Sequence, residues 1–176
     1  AVYHKDILAT HNLCLNDSEP QADQDNRFND TEPTSSVMTL GAGHVVNAID
    51  EDYIAYFFTD IDQYCKAGVY IGNANPNGPY INLNFRPAFL LIKRSDSASH
   101  WVIIDTKRSP FNEITAWLGA NLANSESSLG TNNEFDILSN GFKNRNDAGA
   151  DIMNQSGASY IYLAFAEQPA KYSNAR

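Results

Sequence analysis

The chain has 176 residues, 43% of them hydrophobic and 11% aromatic, enough for a sizeable core in one ordinary domain or two small ones. Only 19% are charged, and 12 basic against 21 acidic side chains leave a net charge of −9, which argues against a protein that tracks nucleic-acid phosphates. No apolar run approaches the roughly 18 to 20 residues of a membrane span, and Ala1-Val2-Tyr3-His4-Lys5-Asp6 has neither the basic start nor the apolar stretch of a signal peptide.

In chain order, the first pronounced strand signal is the aromatic run Tyr53-Ile54-Ala55-Tyr56-Phe57-Phe58. Val69-Tyr70-Ile71 follows, closed by Gly72-Asn73 and the turn cluster Ala74 to Pro79. Tyr80-Ile81-Asn82-Leu83-Asn84-Phe85 alternates polar and apolar, as a half-buried strand does. Ala88-Phe89-Leu90-Leu91-Ile92-Lys93 is nearly all apolar and too short for a typical helix, and Trp101-Val102-Ile103-Ile104-Asp105 reads the same way. Asn112 through Leu122 places Ile114, Leu118 and Leu122 at four-residue spacing and predicts a helix, which Gly119 weakens. Phe135-Asp136-Ile137-Leu138 and Tyr160-Ile161-Tyr162-Leu163-Ala164-Phe165 complete the strands.

Short strands at intervals of roughly 10 to 15 residues, joined by connections too short for crossover helices, predict an all-β fold. The expected architecture is an antiparallel β-sandwich of lectin-like or jelly-roll type, with Phe89, Leu91, Ile103, Ile161, Leu163 and Phe165 inside. The chain holds 20 Asn, and Asn collects where tight turns join many short strands because it tolerates left-handed backbone and bonds its own main chain. That composition suits an extracellular or virion β protein better than a cytosolic enzyme. Cys14 and Cys65 stand 51 residues apart, which makes no disulfide framework, and they are expected to be unpaired thiols.

An internal echo organises the chain. At an offset of 107, Asn47, Tyr53, Ile54 and Phe58 recur as Asn154, Tyr160, Ile161 and Phe165. The segment from Val69 to Arg94 has no counterpart in the first half. Residues 1–66 are therefore expected to be the C-terminal part of a first β repeat, and residues 67–176 a complete sandwich module. A half sandwich leaves strand edges and an apolar face to be covered, so residues 1–66 are expected to be completed by contact with residues 67–176, an adjacent subunit or further chain.

Tyr70-Ile71-Gly72-Asn73, then Phe85-Arg86-Pro87 through Lys93-Arg94, then Trp101, Asp105 and Arg108-Ser109-Pro110 resemble a module of bacteriophage tail-fibre and other virion proteins. Phe135 to Lys143 looks like that family's closing strands, as do Ser159 to Pro169 and the terminus Ser173-Asn174-Ala175-Arg176. The resemblance implies a non-enzymatic virion protein, a tail-fibre or capsid-surface module built on a lectin-like sandwich. It also implies other virion subunits as partners, a homo-oligomer, and a host-surface glycan as a candidate ligand.

Site chemistry is sparse. Sugar-binding faces lay Tyr and Trp rings over pyranose CH groups, which makes Trp101, Trp117, Tyr160 and Tyr162 the candidate ligand residues, with sheet packing as their competing role. Two alternative functions stand beside the one that the resemblance implies. One is a purely structural fibre or decoration subunit that binds only its neighbours. The other is a polysaccharide-degrading enzyme of the virion, since Glu134-Phe135-Asp136 sets two carboxylates on one strand face. The third acid such an enzyme needs is missing, because Leu138 and Ser139 occupy its positions. His4, His11, His44 and His100 lack zinc-ligand spacing, and the acidic runs Asp23-Gln24-Asp25-Asn26 and Asp50-Glu51-Asp52 complete no calcium loop. No catalytic residue, metal or cofactor is expected.

Overall fold

The computed structural model describes residues 1–129, 135–145 and 152–168. Its elements in chain order are β1 (His11–Asn12), β2 (Ala22–Asp23), α1 (Asp25–Phe28), α2 (His44–Asn47), β3 (Cys65–Ile71), β4 (Tyr80–Asn82), β5 (Pro87–Arg94), β6 (Trp101–Asp105), β7 (Ala116–Gly119), β8 (Ser127–Ser128), β9 (Phe135–Leu138), β10 (Gly141–Asn144) and β11 (Ser159–Ala166). Every strand pairing is antiparallel. A six-stranded sheet in the order β3-β11-β5-β6-β7-β8 faces a three-stranded sheet in the order β4-β10-β9, and the fold is an all-β sandwich.

Strand alternation builds the space between the sheets. Leu90 and Ile92 of β5, Val102 and Ile104 of β6, and Tyr160, Tyr162 and Ala164 of β11 point into it. They meet Ile81, Phe135, Ile137 and Phe142 of the smaller sheet. Tyr70 stacks on Tyr160 at 5.1 Å between ring centroids, and Phe142 stands edge-on to Tyr70 and Tyr162. Gly68 makes room for this layer, since a Cβ there would fall 2.6 Å from the Tyr162 hydroxyl oxygen. Asparagine shapes the turns as expected. The side chain of Asn73 accepts from the Asn75 amide at 3.1 Å, Asn75 from Asn77 at 2.8 Å, and Asn82 from Asn84 at 3.0 Å.

Three expectations are corrected. First, the phase of the core is the opposite of the one predicted. Phe89, Leu91, Ile103, Leu163 and Phe165 lie on the outer face of the large sheet and are only partly buried, while Ile161 is buried there, outside the sandwich interior. Both faces of β5 and β11 are apolar, so alternation alone does not select the inner one. Second, the segment from Asn112 to Leu122 is extended. The Asn112 side chain donates to the carbonyl of Ile137 at 2.9 Å and accepts from its amide at 3.0 Å, and Ile114 bridges to Phe135. These bonds cap the outer edge of β9 and carry the chain on into β7. Third, Tyr53 to Phe58 form no strand, and residues 1–66 hold two-residue strands and single-turn helices before β3 begins.

The N-terminal segment covers the outer face of the large sheet. Ile7 and Leu13 pack with Trp101 and Ile161 in a second apolar cluster. Val2 and Leu13 exchange backbone hydrogen bonds, and Gln21 donates its amide to the Ser95 carbonyl at 2.9 Å. Cys14 and Cys65 are free thiols, and burial pushes both above their ordinary pKa. No helix among the described residues is long and apolar enough to cross a membrane.

Candidate interaction surface

The four predicted aromatic ligand residues are not brought together on an open face. Trp101 is 2% exposed, and its indole N–H donates to the Cys14 carbonyl at 2.8 Å. Tyr160 and Tyr162 are buried between the sheets, and Tyr160 turns its hydroxyl to accept from the Gln155 amide. Trp117 packs partly buried against the main core from β7. Packing is the role that the fold assigns to all four.

The acid motif fares no better as a site. Asp136 is mostly buried on β9 and faces Arg145 at 3.4 Å, and Glu134 lies outside the described residues. Among the described residues no group of three or more His, Cys, Asp and Glu side chains is gathered as a metal ion would require. His4 is buried, its Nδ1 accepting from the Asp6 amide and its Nε2 3.4 Å from the Tyr162 carbonyl, and burial holds its pKa below the ordinary value.

Two other features stand out. A polar cleft of about 280 Å³ is lined by Asn12, Cys14, Asp17, Glu19, Gln21 and Arg27 among others. The buried atoms Asn12 Oδ1, Gln21 Oε1 and Arg27 Nη1 have no hydrogen-bond partner among the described residues. The second feature is apolar. Ile49, Tyr53, Ile54, Tyr56, Phe57 and Phe58 are all exposed, with Ile54 at 83%, Tyr56 at 80% and Phe57 at 70%. This strap is pinned at its ends. The Tyr53 hydroxyl bonds the His44 carbonyl and accepts from the Ala48 amide, and Asp60 pairs with Lys5 and accepts from the Ala67 amide at 2.8 Å. Between the pins, among the described residues, only Phe58 makes a ring contact, edge-on to Phe165 at 5.5 Å. Among the described residues no backbone group from 49 to 59 has a hydrogen-bond partner.

Beside the strap runs β3, an outer strand of the large sheet. Its even-numbered residues face β11 through their backbone, as the Gly72 amide continues to do with the Ala158 carbonyl. Odd-numbered residues turn theirs outward. Cys65 exchanges both of its outward bonds with Ile61, and the Ala67 amide goes to Asp60. The outward backbone groups of Val69 and Ile71 have no partner among the described residues, and both side chains are exposed. The aromatic run was legible as strand-forming sequence, whereas its lack of a partner was not.

No curated protein and no solved structure matches the chain. Residues 1–169 match the profile of a family described as a domain of unknown function, DUF7483. With nearly its whole length covered, the chain belongs to the DUF7483 family.

Proposed function

We propose that the chain is a non-enzymatic structural module of a bacteriophage virion, placed in the tail fibre or on the capsid surface, where it assembles with other subunits. The observation that carries the assembly role is the exposed apolar strap from Tyr53 to Phe58 beside the open edge of β3. Large contiguous apolar surface is uncommon on a protein that works alone, because its exposure to water is unfavourable and invites association. The phage context rests on the sequence resemblance at Tyr70 to Asn73, Phe85 to Arg94 and Trp101 to Pro110. Mass spectrometry and antibody labelling of purified particles from the encoding genome test it. The chain is expected at the tail or the capsid surface, and its absence from particles overturns the reading.

A second reading, recognition of a host-surface sugar, is favoured by the polar cleft around Asn12, Gln21 and Arg27. Its mix of amide, carboxylate and guanidinium groups suits the hydroxyls of a saccharide. Glycan-array binding that Arg27→Ala weakens supports this reading, and an array without signal removes it. Release of reducing sugar from host polysaccharide would replace both readings with the enzymatic one.

A further inference from the structure

We propose that Tyr53 to Phe58 add as a β-strand to the outer edge of β3 in a second copy of the chain. This names the partner for the assembly role proposed above and rests on that reading for its biological purpose, though the geometry is independent of it.

The chain carries both halves of the contact. One half is a strand-forming segment with no backbone partner from residue 49 to 59 among the described residues. The other is a seven-residue strand whose outward groups at Val69 and Ile71 are likewise unpaired. The remaining sheet edges are short or capped: β8 has two residues, β4 has three, and β9 is closed by Asn112 and Ile114. A long edge left open is a template for strand addition.

The sequence of the strap fits this edge. Tyr53, Ile54 and Phe58 repeat the spacing of Tyr160, Ile161 and Phe165 in β11, the strand that already pairs with β3 on its other side over seven residues. Six extended residues span about 20 Å, close to the length of β3.

The strap of the same copy is steered away from this edge. A hairpin begins at the reciprocal Ile61–Cys65 bridge, and continued in register it would set Phe57 opposite Val69. It stops at Asp60, whose carboxylate takes the Ala67 amide and pairs with Lys5. Tyr53 is meanwhile held at His44 and Ala48. The strap is thus presented with no regular structure and no backbone partner of its own among the described residues, as a donor strand is in exchange between identical subunits. Each copy donates one strap and receives another.

Sedimentation of the isolated full-length chain tests the contact, and it separates this inference from the virion reading, which is tested on particles. Two variants disable opposite halves. Ile54→Lys with Tyr56→Lys and Phe57→Lys changes only exposed side chains of the strap. Val69→Pro removes an outward amide and leaves those facing β11 in place. If Val69→Pro loses the parent's β-sheet circular-dichroism spectrum, Val69→Lys with Ile71→Lys replaces it, since both side chains are exposed and edge lysines block pairing.

The parent is expected to sediment at two or more times the mass of one chain. Each variant is expected at the mass of one chain with an unchanged far-ultraviolet circular-dichroism spectrum, and with a melting temperature lowered only by the lost association. An equimolar mixture is expected to form a one-to-one complex, because the strap variant keeps its edge and the edge variant keeps its strap. A parent that stays monomeric, with or without exchange protection of residues 53–58, overturns the proposal. So do variants that remain assembled, and a mixture that forms no complex.

Discussion

Lys93 lies on β5 with its side chain fully buried, its ammonium donating to the carbonyls of Ser18 and Arg94 at 3.3 and 2.6 Å. Burial lowers its pKa to about 8, although Asp17 favours the charged form. In the unfolded chain the same group titrates near 10.4. Between these values the unfolded chain binds more protons, so this residue's contribution to stability rises with pH across that window. Below pH 8 the whole cost of burying the charge is present. Lys93→Met is therefore expected to stabilise the protein at pH 7, by as much as roughly 3 kcal/mol from the size of the shift. The advantage should shrink as pH approaches 10. Urea midpoints of the two proteins at both pH values check this, and a difference that does not change with pH assigns the effect to packing alone.

At the scale of the strand, the two faces of β5, β6 and β11 respond differently to the same substitution. Ile104 is fully buried between the sheets, among Leu90, Val102 and the ring cluster. Ile161 is buried on the outer face, and its cross-strand neighbour on β5 is Lys93. An aspartate at 104 has no cation opposite and is expected to cost several kcal/mol, of the order of a domain's whole stability. An aspartate at 161 stands across from a buried ammonium, whose attraction offsets part of the desolvation. Ile104→Asp should fail to fold, while Ile161→Asp should fold with a lowered melting temperature. Thermal melts by circular dichroism decide it, and equal effects would mean that Lys93 does not reach the new carboxylate. The small sheet shows a different economy. Asn112 closes the edge of β9 with one side chain, two hydrogen bonds standing in for a strand.

Across the whole molecule, residues 1–28 act as a cover for the large sheet. Ile7 and Leu13 bury Trp101 and Ile161, Cys14 satisfies the Trp101 indole, and Ser18 bonds both Lys93 and the Ser99 amide. A fragment starting at Tyr64 keeps every strand of the sandwich but loses this cover. It is expected to bind a hydrophobic dye and to precipitate where the full chain stays in solution, because burying apolar surface is favourable at about 25 cal/mol per Å² and that surface is now bare. Dye fluorescence and light scattering are the measurements. A soluble fragment without dye binding would show that the N-terminal segment is dispensable to the sheet. The same segment frames the polar cleft, so its loss should also abolish any saccharide binding.

The sequence by itself determined where most strands of the sandwich run, because alternation, short apolar runs and Asn- or Gly-rich turns are local signals. The runs predicted at Val69 to Ile71, Ala88 to Lys93, Trp101 to Asp105, Phe135 to Leu138 and Tyr160 to Phe165 fall within β3, β5, β6, β9 and β11. Only the tertiary structure decided which face of each strand is inside. With apolar residues on both faces of β5 and β11, the choice depends on what covers each face, and the N-terminal segment covers one of them. That layering turned Trp101, Tyr160 and Tyr162 from candidate ligand residues into packing residues. Likewise, the four-residue spacing of Ile114, Leu118 and Leu122 suits a helix until β6 and β9 provide strand partners from elsewhere in the chain. The aromatic run at 53–58 is the converse case. Its sequence is that of a strand, but a strand exists only by pairing, and the sequence names no edge for it.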